Sequence, residues 1–210
     1  LRVALVTSVS ANIAELAAMT VPNKLEYCLR HGYSLIADNR PYEEAVKSMS
    51  NTLLSILADY DVVWTLDSDA VITNMTIPIH TLDCLGAGMT VCEEGIVDWN
   101  LINCGSVVWK RGCRTTYLLE RLQEDEDKWI KWPCQQQTWL GALAAGGGDL
   151  IKVAPLRSFN SCEWTHPGGS IGKPGSHWQP GDLVFHPCGV YPAQERLLTV
   201  QHALENGVMR

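Results

Sequence analysis

The stretch Asp61-Val-Val-Trp-Thr-Leu-Asp-Ser-Asp-Ala-Val-Ile-Thr-Asn74 constrains this chain more than any other. Its first half is an apolar, β-branched run without polar alternation, the pattern of a strand buried on both faces of a parallel sheet. The preceding residues set its place in chain order. Arg2 to Ser8 reads as a first strand, Pro22 to Arg30 as a helix that starts after Thr20 and stops at Gly32, and Tyr33 to Ala37 as a second short strand. Pro41 then opens a helix with Glu43 and Glu44 in its first turn and Val46, Met49, Leu53, Ile56 and Leu57 at helical spacing. Asp61 to Leu66 is the third strand. Strand, helix, strand, helix, strand predicts an α/β fold with a parallel sheet flanked by helices, a Rossmann-like half.

The end of such a strand is where α/β proteins place ligands, and here it delivers Asp67 and Asp69. Two carboxylates one residue apart invite a divalent cation, which completes its shell with substrate phosphates. The plainer alternative is that they cap a loop or the next helix.

The second half is less regular. Ser106 to Trp109 reads as a strand, Thr115 to Glu124 as a helix, and Gln135 to Ala144 as a helix entered through Pro133 and stopped by Gly146-Gly-Gly148. Trp164 to Gly181 is rich in glycine and proline and carries His166, His177 and Trp178, so it reads as a long loop. Such a loop acts as a lid or acceptor platform on one reading and as a plain surface connection on the other.

At 210 residues the chain suits one domain. Its net charge of -7 and the absence of a basic stripe argue against nucleic acid as a partner. No apolar stretch is long enough to span a bilayer, and there is no signal peptide. The strand-like start at Leu1 without an initiator methionine suggests a domain excised from a longer protein with other domains. Eight cysteines, at 28, 84, 92, 104, 113, 134, 162 and 188, form no CxxC pair, which removes the usual zinc-ribbon and thioredoxin readings. They read as reduced, buried thiols, with the even count leaving disulfides and a lumenal compartment open.

Leu66-Asp-Ser-Asp-Ala-Val71 formally matches the signature of haloacid-dehalogenase phosphatases, which would make Asp67 a nucleophile and Asp69 an acid/base. That fold, however, usually carries the motif on its first strand and needs a downstream lysine and a further acidic pair. A different resemblance emerges from several segments in order: Asn23-Lys-Leu-Glu-Tyr-Cys-Leu-Arg-His-Gly-Tyr33, Lys47, Trp64-Thr-Leu-Asp-Ser-Asp-Ala70, Asp98-Trp-Asn-Leu-Ile-Asn-Cys-Gly-Ser106, Gln136-Gln-Thr-Trp-Leu140, Phe159-Asn-Ser161 and Gly181-Asp-Leu-Val-Phe-His-Pro-Cys-Gly189. This series resembles the GT-A glycosyltransferases of the yeast galactosyl- and mannosyltransferase family, which includes plant xyloglucan xylosyltransferases. The compact form also looks like a glycosyltransferase domain encoded by a large chlorella virus.

The resemblance implies a single GT-A domain, with a nucleotide-binding half over 1–74 and a sugar and acceptor half over 75–210 that includes the loop 164–181. It implies a metal held by Asp69, by Asp67 (which could instead hold the donor ribose), and by His186, which alone would read as a structural histidine. Manganese is expected for an oxygen-rich site with one imidazole, with magnesium as the alternative. The donor would be a nucleotide sugar, with a UDP-sugar expected, and the acceptor a glycan or glycoprotein. Thr7 and Ser8 would meet the base or ribose, beside Asp38 and Arg40, with the Ser68 backbone N–H on the ribose and Lys47 and Gly189 completing the donor set. Asp98, Asn100, Asn103, Gln136 and Gln137 would meet the reacting sugar. Asn103-Cys-Gly105 resembles the family's Asn-x-Gly turn, where a small residue lets the backbone approach the donor. The family retains anomeric configuration.

Two departures from its pattern matter. Gln135 and Gln136 stand where acidic residues are common, and an amide cannot act as a carboxylate nucleophile. Front-side attack within an ion pair then becomes more attractive, with Asp98 as a carboxylate in reserve. Tyr191 stands where a lysine is common, so a second cation, Arg196 or Lys173, would have to help neutralise the diphosphate. The expected compartment is the cytoplasm, that of a host if the chain is viral, with the Golgi lumen as the alternative. A catalytically silent nucleotide-sugar binder is the third function class, motivated by the missing acids and lysine.

Overall fold

Alternate residues of the apolar run serve opposite layers of the molecule. In the strand Val62–Leu66, residues Val62, Trp64 and Leu66 join one buried cluster with Val3, Leu5 and Tyr27. Val63 joins the other, with Leu53, Leu57, Trp109 and Leu118. A strand with helices on both sides must be apolar on both faces, hence the unbroken run.

The computed structural model describes residues 1–86, 88–95, 101–132, 134–162, 173–188 and 193–209. In chain order the first elements are β1 (Val3–Ser8), α1 (Ala14–His31), β2 (Ser34–Asp38), α2 (Tyr42–Lys47), α3 (Met49–Asp59), β3 (Val62–Leu66) and β4 (Val71–Ile72). Then come β5 (Met89–Glu93), β6 (Ile102–Lys110), α4 (Cys113–Glu124), α5 (Glu126–Trp129), α6 (Gln135–Ala145), β7 (Ile151–Ala154), β8 (Ser161–Cys162), β9 (Val184–His186) and α7 (Ala193–Asn206). Among the described residues the main sheet runs β2-β1-β3-β6-β5-β7. β6 alone is antiparallel to its neighbours, so the sheet is mixed but mostly parallel, in one α/β domain.

Several elements depart from the sequence reading. α1 starts well before Thr20, and Pro22 lies inside it. The Ala-rich start is helix-forming, and the buried face of Leu16, Ala17, Thr20, Lys24 and Tyr27 holds the helix through the missing proline N–H. Gly32 does close it, in the left-handed conformation at φ 68°. The helix from Pro41 is two helices, divided at Ser48. β6 begins at Ile102, so Asn103 to Gly105 belong to a strand and not to a turn before it. Its pairing with β5 slips between Val91 and Cys92, which face Val107 and Asn103. The extra residues on β6 form a bulge that carries Gly105. Among the described residues, no helix is long and apolar enough to cross a membrane.

A second, small sheet decides where the C-terminal third goes. It runs β4-β9-β8, with Val71 opposite Phe185 and Ile72 opposite Val184 in an antiparallel pair. Continuing that register sets His186 beside Ala70, next to Asp69. The chain's end returns to the same place, since Met209 exchanges backbone hydrogen bonds with Thr73 and Met75.

Candidate functional site

Asp67, Asp69 and His186 converge where β3 leaves the sheet, each offering one ligand atom within 4.8 Å of the others. His186 Nε2 is 3.3 Å from Asp69 Oδ1 and 3.5 Å from Asp67 Oδ2. Neighbouring ligands in an octahedral shell at about 2.1 Å lie about 3 Å apart, so the set fits a divalent cation with little rearrangement. Burial grades across it: the Asp67 side chain is 58% exposed, Asp69 9% and His186 3%. The cluster therefore has one open side, facing solvent over Asp67.

The loop between β3 and β4 is held from below by α1. Lys24 is fully buried, and its ammonium donates to the backbone oxygens of Asp67 (2.9 Å) and Ser68 (3.1 Å) and to Thr20 Oγ1 (3.3 Å). Burial pushes its pKa down to about 7, against the pull of Asp69 and Asp67. Thr20 Oγ1 donates to the Ser68 oxygen, and the Asn23 amide pairs with both the N–H and the carbonyl of Ile72. Asn23 and Lys24 lie in the segment Asn23 to Tyr33 that carries part of the family resemblance, but the sequence alone gives them no role. A buried lysine in a helix looks like any surface lysine until the fold is known.

Electrostatics around the triad are set by burial and by the charges its members present to one another. Burial works against the Asp69 charge, but His186 and Arg196 outweigh it and hold its pKa below the carboxylate range. Asp67 moves upward, through crowding by protein on its closed sides and despite the help of His186. Burial alone would lower the His186 pKa; the Cys188 sulfur and the Asp69 carboxylate reverse that and raise it. Arg196 Nη1 lies 3.3 Å from Asp69 Oδ2, so of the two cations considered for the diphosphate this one reaches the triad. Lys173 donates its backbone N–H to Gly95.

Gly105 sets the distance between β6 and the histidine. A Cβ there would lie 1.9 Å from His186 Cε1 and 2.4 Å from Nδ1. The close approach of this backbone is thus to the imidazole ring. Asn103, two residues earlier, accepts from the Gly105 N–H (2.9 Å) and from Asn160 Nδ2 (2.8 Å), and its own Nδ2 faces Glu94 and Cys188. Gln137 Oε1 accepts from the Cys104 N–H at 2.8 Å. The Oε1 atoms of Gln135 and Gln136 are buried without a hydrogen-bond partner, and Cys134 and Gln135 hold left-handed φ values of 55° and 43° at the start of α6. Unpaired buried acceptors and strained backbone at one helix start are features of a binding site.

At the ends of β1 and β2 the hydroxyls of Thr7 and Ser8 are buried and likewise unpartnered. Ser68 Oγ donates to the Ser8 carbonyl (2.7 Å) and ties the two strand ends together. Arg40 grips Asp38 through Nε and Nη2 and also reaches Ser48 Oγ and Thr52 Oγ1. Those hydrogen bonds hold the Asp38 carboxyl below its usual range. Lys47 lines a separate open depression of about 450 Å³ with Pro41, Glu43 and Asn51, to which no triad residue contributes. Asp98, Asn100, His166, Gly189 and Tyr191, and Pro133 at the entry to α6, lie outside the described residues.

Of the long loop, the part from Lys173 to Gly181 is described. Trp178 Nε1 donates to Thr73 Oγ1 and its ring meets Phe185 edge-on. A cavity of about 380 Å³ opens between this stretch and α7, lined by Trp178, Phe185, Thr199 and His202 among others. The eight cysteines are free thiols; Cys113 and Cys134 are exposed instead of buried. Cys188 Sγ lies 3.3 Å from Cys162 Sγ.

Comparisons with known proteins agree with this picture. Residues 3–83 match the galactosyl transferase GMA12/MNN10 family. No curated protein matches the chain in sequence. Among solved structures, a glycosyltransferase involved in glycosylation of the major capsid of PBCV-1 superposes with a TM-score of 0.74 at 17% identity, covering 96% of this chain and 99% of that one. Mouse xyloside xylosyltransferase 1 gives 0.58 at 12% identity over 91% and 100% of the chains. The galactosyltransferase LgtC, solved with donor and acceptor sugar analogues, gives 0.55 at 13% identity over 95% of each. The fold is therefore the GT-A fold, and the resemblance read from the sequence holds.

Proposed function

We propose that this chain is a metal-dependent glycosyltransferase that moves a sugar from a nucleotide diphosphate donor, UDP-linked, to a glycan acceptor with retention of configuration. One observation carries the reading: two carboxylates on the β3–β4 loop and an imidazole from β9 meet with cation-ligand spacing at the strand end where this fold binds nucleotides. Asp67, Asp69 and His186 would hold the ion, for which Mn²⁺ suits the mixed oxygen and nitrogen set. When bound, it neutralises charge on the leaving nucleoside diphosphate.

The chain's own groups supply the remainder. Thr7 and Ser8, with unpaired buried hydroxyls, bind the nucleoside. Arg196, 3.3 Å from Asp69, adds positive charge that would help neutralise the diphosphate. The buried Gln136 oxygen accepts from a sugar hydroxyl, and Gln137, tied to Cys104, braces the β6 bulge against α6. With amides at these positions, retention proceeds by front-side attack: the acceptor oxygen bonds to C1 as the C1–phosphate bond breaks, and the departing phosphate oxygen takes the acceptor's proton.

The test is UDP titration by calorimetry with and without Mn²⁺, followed by UDP release from a panel of UDP-sugars in the parent and in Asp69→Ala. Manganese-dependent UDP binding that Asp69→Ala abolishes is expected. UDP binding that ignores Mn²⁺, or none at all, overturns the proposal, and binding without turnover on any donor and acceptor leaves a silent binder.

A further inference from the structure

The polar side chains behind His186 orient one another, and the sequence of contacts starts from a backbone group whose role cannot be exchanged. The Gly105 backbone N–H can only donate, and it reaches Asn103 Oδ1. The Glu94 carboxylate, buried at 1% exposure, lies 3.2 and 3.4 Å from Asn103 Nδ2 as an acceptor. Both demand the same orientation of the Asn103 amide, oxygen toward Gly105 and nitrogen toward Glu94. Asn160, itself 3% exposed, must then present its nitrogen to Asn103 Oδ1 at 2.8 Å. Turned round, it would set two carbonyl oxygens against each other at that distance. Its oxygen is left facing His186 Nδ1 at 3.1 Å. An acceptor in that position needs a proton on Nδ1.

We infer that Asn160 is a positioning residue that holds His186 as its Nδ1–H tautomer, leaving the Nε2 lone pair to face Asp67 and Asp69 as the metal ligand, and that Asn103 acts through Asn160. The inference rests on reading the triad as a cation site, and it gives Asn103 an inward role. Both lone-pair positions of its oxygen and both amide hydrogens have partners within the protein, from Gly105, Asn160, Glu94 and Cys188. A metal-bound imidazole whose other ring N–H is anchored keeps its orientation, and loss of such an anchor typically costs about 10–100-fold in metal affinity.

Two variants separate the role from general packing. Asn160→Leu keeps the number and branching of the side-chain heavy atoms and removes the acceptor; Asn160→Asp keeps an acceptor for Nδ1–H but sets its other oxygen against Asn103 Oδ1. Mn²⁺ affinity is read by electron paramagnetic resonance without nucleotide, and the His186 tautomer by imidazole ¹⁵N shifts in metal-free protein at alkaline pH, with His186→Gln assigning the signal. Thermal melting establishes that each variant is folded. Asn160→Leu is expected to lose about 10–100-fold in Mn²⁺ affinity and the uniform Nδ1–H signal, with Asn160→Asp, which retains the Nδ1–H acceptor, binding Mn²⁺ more tightly than Asn160→Leu. Parent-like Mn²⁺ binding by folded Asn160→Leu, or a parent His186 protonated on Nε2 in the metal-free spectrum, overturns the inference. If the parent binds no Mn²⁺, the triad reading and the ligand half of this inference fall together, while the metal-free spectrum still decides the positioning half.

Discussion

Replacing Gly105 by alanine tests how tightly β6 and the histidine are fitted. The new Cβ would stand 1.9 Å from His186 Cε1, where ordinary contact begins near 3.4 Å, so the ring must retreat by about 1.5 Å, the difference of the two. It has little room: the residue is 2% exposed and Nδ1 is held by Asn160. Overpacking of this kind costs about 1–3 kcal/mol, and at about 2–4 °C per kcal/mol for a chain this size the melting temperature should fall by roughly 2–12 °C. The effect on the metal should be larger, because protein–metal distances tolerate only about ±0.2 Å. Gly105→Ala should therefore lose most of its Mn²⁺ affinity while remaining folded. The double variant Gly105→Ala/His186→Ala, set against His186→Ala alone, supplies the decisive arm. With the ring gone, the alanine methyl should cost little. If Gly105→Ala binds Mn²⁺ as the parent does, or destabilises equally with and without the ring, the reasoning from this contact is wrong.

Further predictions concern the supports of the site. Lys24→Met should destabilise the fold by about 1–3 kcal/mol in urea unfolding, because the carbonyls of Asp67 and Ser68 lose their buried donor. Asp69→Ala should abolish manganese-dependent UDP binding, read by calorimetry, with a smaller change in melting temperature. Burial opposes ionisation of Asp182, yet hydrogen bonds from Arg157, Gln179 and Ser161 hold its pKa below the ordinary value. Its stabilising contribution is thus complete above about pH 4, the unfolded value, and is lost as pH falls through the lower folded value. Melting curves from pH 7 to pH 2 should accordingly show Asp182→Asn less stable than the parent at neutral pH, with the gap closing in acid.

β1 and β3 were legible because their cause is local: a strand buried on both faces must be apolar throughout, and Gly32 can serve as a left-handed cap in any context. The start of α1 was not, because no side chain caps it and Pro22 resembles a first-turn proline although it lies well inside the helix. β5 and β7 are only five and four residues long, too short for their own pattern to decide, so pairing with their neighbours β6 and β5 makes them strands. Gly105 looked like a turn glycine since sequence shows a missing side chain but not what occupies its space. Asp67 and Asp69 were readable from their position after a buried strand, whereas His186 came from the resemblance alone. Glu94, Lys24 and Asn160 gain their roles only through partners distant in sequence, such as Asn103, Asp67 and His186.

The pairing of β4 with β9 makes assembly of the Asp67, Asp69 and His186 cluster a late event in the life of the chain. Asp69 and His186 are separated by more than a hundred residues, and closing a loop of that length costs roughly 4 kcal/mol of chain entropy. A nascent polypeptide could complete β1 to β3 and display both aspartates while the imidazole was still unmade. Occupancy of the centre would therefore report that the C-terminal third had docked, and a cation bridging the two segments would act as a reversible cross-link, adding about 2.7 kcal/mol at a hundredfold excess over its dissociation constant.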